Sequence, residues 1–241
     1  MLRIIQRFVR RRIKKAIARL SEEPVAVYGI EYDIFAPIVT QPYRNLILYE
    51  RYEPEEISLA RKYLDATTPV IELGAGLGVV SCIISKSMSI GNHIAVEANP
   101  KLIDNLEYQK RLNDIDFEII QAAYHPTAGT VEFTIENQFD EGRVSREEGD
   151  ETISVEAISL NDLVSQLGSP KFNLVSDIEG AEIGLIKNES EILSSMCSYI
   201  ICETHPNQYQ IEDFMRVMER CSFKKVDQEG AVYAFKNQTI T

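Results

Sequence analysis

Tryptophan is absent from the 241-residue chain, and it has only three histidines and four cysteines. Cys82, Cys197, Cys202 and Cys221 form no CxxC pair and no Cys/His grouping, so neither a zinc module nor a disulfide scaffold is expected. All four lie in apolar stretches and read as buried, reduced thiols. Long apolar runs are also missing. None approaches the roughly 20 residues needed to cross a bilayer, and no secretory signal is apparent, so a cytoplasmic protein is expected. Within "MLRIIQRFVRRRIKKAIARL", residues 1 to 20, the missing group is acid: the segment holds eight Arg/Lys and no Asp or Glu. The rest of the chain is correspondingly poor in base, with 17 Lys/Arg against 37 Asp/Glu, and carries −20 of charge behind an overall −12. So acidic a body repels phosphate backbones, which argues against a nucleic-acid partner.

The basic leader has apolar residues at Ile5, Val9, Ile13, Ile17 and Leu20, close to helical spacing. Two readings stand. One is a helix lying on an anionic membrane surface, at the inner face of the membrane. The other is a helix docked on the acidic body or on a second subunit of a homo-oligomer. The division expected is a basic amphipathic helix over residues 1–22 and a single domain over 23–241, a length suited to one large core.

After an irregular or β-like stretch over residues 24 to 54, "PEEISLARKYLD" reads as a helix, with Pro54 at its first position and acids in its first turn. Strands and helices then alternate: "PVIEL", "GVVSCIISKSM", "HIAVEA", "PKLIDNLEYQKRLN", "FEIIQAAY". A more β-like patch follows in "GTVEFTI" and "ETISVEAI", with a polar loop between. Alternation then resumes through "LNDLVSQL", "FNLVSDI", "AEIGLIKN", "SYIICET" and "QIEDFMRVMERC". This pattern predicts an α/β fold built on a mostly parallel sheet covered on both faces. The last two strand-like runs, "FKKVDQ" and "AVYAFK", are separated by little more than "EG", a hairpin spacing.

"VIELGAGLGVVS", residues 70 to 81, places Gly74, Gly76 and Gly78 between a strand and a helix. Such a loop brings a ligand to the strand's carboxyl end and the helix's amino end. Glu97, about 20 residues on and at the end of the next strand, can accept hydrogen bonds from both ribose hydroxyls. NAD and S-adenosylmethionine both suit these features. Three details favour the latter. The spacing is GxGxG, with Val79 where the dinucleotide fingerprint needs its last glycine. Glu72, two residues before the loop, suits a cationic ligand and repels a pyrophosphate. A terminal antiparallel hairpin is the ending of Rossmann-like methyltransferases, whose sheet is seven-stranded and mostly parallel. The cofactor set expected is therefore Glu72, Gly74, Ala75, Gly76, Gly78, Glu97, Ala98 and Asp177, with Ala122 and Ala123 as a flat wall for adenine.

"YEPEEISLARKYL", "VIELGAGLGVVSCIISK", "VEANPKLIDNLEYQKRLN", "QAAYHPTAGTVEF", "SLNDLV", "FNLVSDIEGAEIGLIKN" and "IICETHP" follow one another in the order of the FkbM family of methyltransferases, which the chain resembles from about residue 50 to 236. The most specific piece is "DIEGAE", similar to the family's Asp-x-Glu-Gly-Ala-Glu motif. The resemblance implies an S-adenosylmethionine-dependent O-methyltransferase acting on a hydroxyl of a sugar or secondary metabolite, so that a glycan, glycolipid or sugar-bearing small molecule is the expected acceptor. Asn161 stands where the family usually shows an Asp. The leader and the segment to about residue 45 fall outside the shared core.

Methyl transfer needs alignment and, for a hydroxyl acceptor, a base. Asp177 and Glu179 end one predicted strand; Glu203 and His205 end another. Three readings of this cluster stay open. Asp177, Glu179 and His205 can supply a catalytic base, with His205 near its ordinary pKa or Asp177 raised by its neighbours. Asp177 and Glu203 can hold a divalent metal, although none is expected. Glu179 and Glu182 can brace the turn after the strand. On the acceptor side the candidates are His125, Arg143, Arg146 and Glu203, with both arginines in a lid-like polar loop. Tyr52 and Glu53 precede the helix that would cover the cofactor's methionine end, and His93 reads as structural. Against the enzyme stand two alternatives: a scaffold that keeps the fold without turnover, and a nucleotide-dependent oxidoreductase.

Overall fold

The structure, a computed structural model, describes residues 23–87, 92–135, 142–143 and 151–240. The basic leader and most of the polar loop after residue 135 lie outside the described residues.

The core is a seven-stranded sheet. Its strands are β3 (Val70–Leu73), β4 (His93–Glu97), β5 (Glu118–Gln121), β10 (Phe172–Ser176), β11 (Cys197–Glu203), β12 (Phe223–Glu229) and β13 (Val232–Asn237), in the order β12-β13-β11-β10-β3-β4-β5. β13 pairs antiparallel with both β11 and β12, and every other pairing is parallel. The central strands β3 and β10 are buried at every position, as expected of strands covered on two faces.

Those faces have separate cores. One packs β3 and β4 against α2 (Pro54–Tyr63), α3 (Val79–Ser87) and α4 (Pro100–Leu112), through Ile57, Leu59, Ile83 and Leu106. The other packs Ile71, Leu73 and Ile200 against α5 (Leu160–Leu167), α6 (Glu182–Asn188), α7 (Ser190–Met196) and α8 (Ile211–Arg220). Three layers of helix, sheet and helix result, and the predicted architecture stands. None of the four cysteines is in a disulfide, and all are buried. No helix among the described residues is long and apolar enough to cross a membrane.

Three segments depart from the pattern read in the sequence. The stretch before residue 54 is β-like at its start, in a small hairpin of β1 (Val25–Val27) with β2 (Ile30–Tyr32), but then forms an unexpected helix α1 (Gln41–Leu48) with proline in its first turn. The hairpin is anchored by Tyr32, whose hydroxyl donates to the Leu77 carbonyl at 2.8 Å. "FEIIQAAY" is not one strand. It breaks at Ala122, β5 joining the main sheet while β6 (Ala123–Tyr124) pairs with β9 (Glu151–Ile158). With β7 (Gly129–Ile135) and β8 (Gly142–Arg143), these form a second, four-stranded sheet in the order β6-β9-β7-β8. Finally, α7 is a second helix inside the crossover from β10 to β11, which the sequence pattern read as a single helix.

Candidate active site

One cleft opens at the carboxyl ends of β3, β4, β10 and β11, where open parallel sheets place their ligands. Its floor is the loop Gly74–Gly76. Its walls come from Glu97, Ala98 and Asn99 after β4, from Ala122–Tyr124, and from Asp177, Ile178 and Glu179 after β10. Glu203 and the start of α2 close the far side, and Phe133 of the second sheet reaches in.

The glycines divide the labour differently from the simplest expectation. A Cβ on Gly74 would lie 1.9 Å from the Asp177 carbonyl oxygen, so this glycine lets β10 come hard against the loop. A Cβ on Gly78 would lie 2.6 Å from Leu106 Cδ2. Gly78 therefore serves the packing of α3 on α4 and, contrary to its expected cofactor role, does not line the cleft. The loop faces the cleft through Gly74, Ala75 and Gly76.

Glu97 is placed as its spacing predicts. Oε2 accepts from the Gly76 N–H and Oε1 from the Asn99 N–H, both at 2.7 Å. These bonds fix the carboxylate at the rim of the glycine loop and leave lone pairs for a ribose. Burial raises it to about 6, offset in part by those N–H groups.

Glu72 does not face the ligand. β3 alternates, so Glu72 shares the α3 face with Val70, and its Oε2 meets His93 Nε2 at 2.9 Å. His93 Nδ1 pairs with Ser85 Oγ at 2.7 Å, which closes a buried Glu72–His93–Ser85 chain. The structural reading of His93 holds, and the cation-facing reading of Glu72 is corrected.

The turn after β10 gathers the expected catalytic side chains. His205 Nε2 lies 3.4 Å from Asp177 Oδ1 and 3.2 Å from Glu179 Oε2, and Nδ1 lies 3.0 Å from Glu182 Oε1. Fully buried Glu182 also accepts from the Ile178 and Gly180 N–H groups, at 3.2 and 3.1 Å. It thereby holds the turn in which Glu179 sits at φ 51° and Gly180 at φ 100°. Burial alone would lower His205, but its close contacts with Glu179 and Glu182 and the Asp177 charge override this and carry it up to about 11. The surrounding acids thus favour the imidazolium form. In place of an ordinary pKa, the ring is drawn toward its protonated form among three acids. Asp177 is pushed well above the usual carboxylate range by burial, then by the charges of Glu203, Glu179 and Glu53. Glu203 is raised by burial as well.

Ala98, Ala122, Ala123 and Glu203 line the cleft as expected. His125 does not. Its Nδ1 contacts the Thr127 hydroxyl at 3.0 Å and its N–H donates to the Ile158 carbonyl, so it closes the turn after β6. Arg143 contributes backbone to β8, and Arg146 lies outside the described residues. Asp177, Glu179 and His205 offer ligand atoms spaced closely enough to share a cation, and the charge of Glu203 also acts on Asp177. The residues lining the cleft that sequence reasoning overlooked include Glu56, Asn99, Tyr124 and Phe133.

A parallel sheet ending in β13, a glycine loop after its first central strand and an acid after the next together define the class: an S-adenosylmethionine-dependent methyltransferase. The sequence matches the model of the methyltransferase FkbM domain over residues 72–225, and the chain belongs to the FkbM methyltransferase family. Among solved structures it is similar to methyltransferase FkbM from Methylobacillus flagellatus KT, with 13% identity and a TM-score of 0.52, covering 82% of this chain and 54% of that one. It is also similar to the ribosomal protein L11 methylase of Lactobacillus delbrueckii subsp. bulgaricus, at 15% identity, a TM-score of 0.45, and 75% and 74% coverage. M. jannaschii TYW2 in complex with AdoMet matches at 12% identity and a TM-score of 0.44, with 88% and 82% coverage. No curated protein sequence matches the chain.

Proposed function

We propose that this methyltransferase moves a methyl group to a hydroxyl of a glycan, glycolipid or sugar-bearing small molecule, with Asp177 as the base. The observation that carries the reading is the convergence of Asp177, Glu179 and Glu203 beside the Gly74–Gly76 loop in one cleft. S-adenosylmethionine, when bound, supplies an already activated methyl on a sulfonium. What the chain must add is alignment and a place for one proton.

Glu97 holds the ribose and the glycine loop receives the neighbouring backbone-sized part of the ligand. Asp177, kept from ordinary acidity by burial and by its acidic neighbours, takes the acceptor's hydroxyl proton as the oxygen gains the methyl. The products are a methyl ether and S-adenosylhomocysteine, and the proton leaves Asp177 for solvent. His205 keeps Asp177 and Glu179 in place through opposite charge. The basic leader, in this reading, brings the enzyme to an anionic membrane surface where a glycolipid acceptor resides.

The test uses methyl-tritiated S-adenosylmethionine with a total glycan and glycolipid extract as the acceptor pool. Label stable to mild alkali and released only by ether cleavage is the expected outcome. Label lost to alkali, as from methyl esters, or recovered on amines would refute a hydroxyl acceptor. An absence of transfer together with binding of S-adenosylhomocysteine would move the reading to a scaffold.

A further inference from the structure

Leu46 and Tyr49 are two of the four large apolar side chains that stay exposed among the described residues, at 37% and 46%, and both belong to α1 and its C-terminal cap. With Pro42, also exposed, they are spaced i, i+4, i+7 and so form one stripe along the outer face of the helix. The inner face carries Tyr43, Ile47 and Leu48, all buried. The stripe sits in a stretch without acid: residues 34 to 49 hold no Asp or Glu, in a chain that has 37 of them. Its charged neighbours along the chain are basic. The Arg44 guanidinium lies 5.3 Å from the centre of the half-buried Phe35 ring, and Arg51 is exposed two residues beyond Tyr49. Glu50, the acid between them, is turned toward the β1–β2 hairpin, where it accepts from the Tyr28 N–H at 3.3 Å.

Size and charge say what covers such a face. Three side chains fall far short of the roughly 20 residues a side of a stable protein interface. A lipid surface asks only for a few apolar side chains at the acyl boundary, with bases to meet anionic headgroups. The chain brings more base to the same place. Residues 1 to 20 hold eight Arg/Lys and no acid, and the five residues from Leu20 to Val25 span at most about 17 Å. Val25 opens β1, and β1 packs against α1. Arginines beside the stripe repel that basic segment and attract the headgroups that attract it too. α1 also leads to the cleft. Tyr43 on its inner face meets Tyr52 edge-on, with ring centroids 6.1 Å apart, and Tyr52 and Glu53 line the cleft.

We propose that the outer face of α1, through Pro42, Leu46 and Tyr49, inserts into an anionic lipid surface and so holds the cleft beside acceptors anchored there. The inference rests on the glycolipid reading of the acceptor. Because the chain has no tryptophan, Leu46→Trp in the full chain gives a single fluorescent reporter. Its emission should move to shorter wavelength when vesicles of phosphatidylcholine and phosphatidylserine are added at low salt, and stay in place with phosphatidylcholine alone. Leu46→Ser should weaken co-sedimentation with the anionic vesicles at least about fivefold, the scale of part of a leucine side chain returned to water. Its S-adenosylhomocysteine affinity and urea midpoint should match those of the unmodified protein, which shows that the fold is intact. If the unmodified chain binds the vesicles while the reporter does not move and Leu46→Ser binds as well, the leader docks alone; α1 loses its assignment and the membrane reading stands. An equal shift from Val226→Trp on β12 would mean unspecific adsorption and overturn the proposal. So would a reporter shielded from acrylamide without lipid, by the leader if at every protein concentration, by a second copy if only as concentration rises. If the unmodified chain binds no vesicles, the membrane role of the leader falls too, while ether-forming methyl transfer is still read by the label.

Discussion

His93 and His205 both sit against carboxylates, but at opposite edges of the same sheet. His93 opens β4, fully buried, between one acid and one hydroxyl, Glu72 and Ser85. His205 follows the carboxyl end of β11 and faces three acids, Asp177, Glu179 and Glu182, two of which line the cleft. The first group is self-contained, and each ring nitrogen has a partner of matching capacity. The second holds more acid than one imidazolium can neutralise, and among the described residues Asp177 Oδ1, Glu182 Oε2 and His205 Nδ1 have no hydrogen-bond partner. Buried polar groups are ordinarily satisfied, and a shortfall needs an explanation. Of the residues so left, Asp177 is the one that lines the cleft, which makes the His205 group the one open to a ligand and the His93 group one that serves the fold.

Substitution should divide the two groups the same way. The largest effect is expected from Asp177→Asn, which removes the proposed base and should lower kcat by about 10²- to 10⁴-fold. Its affinity for S-adenosylhomocysteine and its urea midpoint should remain near those of the unmodified protein. A variant that turns over normally would dismiss Asp177 as the base. His93→Ala should do the reverse. It strands buried Glu72 and Ser85 and should cost about 3 kcal/mol in urea unfolding, with kcat preserved at temperatures where the variant is folded. Lost turnover in a stable His93 variant would erase the distinction.

Much of this layout is legible in the residues, and the failures have physical causes. Runs such as "PVIEL" and "FNLVSDI" are mainly apolar because both sheet faces are covered, and Glu97 is found because the βαβ unit fixes its distance from the loop. Glu72 was misplaced because a strand buried on both faces gives no polar alternation to show which way a single acid points. Gly78 reads like its neighbours although its tenant is Leu106, since a close approach by protein leaves the same mark in sequence as one by ligand. Glu56 carried a signal that could have found it: it shares a helix face with Leu59 and Ala60, both buried, so an acid there could not be facing solvent. Tyr124 and Phe133 carried none, because the break at Ala122 that turns β6 into a second sheet depends on long-range pairing with β9.

The positioning role of His205 has its own pH dependence. Folding raises its pKa from the ordinary 6.5 to about 11, so protonation favours the folded state. That contribution is whole below about 6.5, declines as the pH rises and is gone above about 11. The difference in Tm between the unmodified protein and His205→Gln should therefore narrow steadily from pH 7 toward 11. A constant difference across that range would mean the ring is not held as a cation and would return it to the list of bases.

The smallest effect should come from Ser85→Ala. It takes one neutral partner from His93 Nδ1 and leaves the Glu72 contact in place. The expected loss is about 1 kcal/mol, the scale of a single uncharged hydrogen bond, read as a shift in urea midpoint without a change in slope. If Ser85→Ala proved as damaging as His93→Ala, the hydroxyl would be the member on which the buried chain depends, and the histidine–carboxylate contact would lose its standing as the counterpart to the assembly around His205.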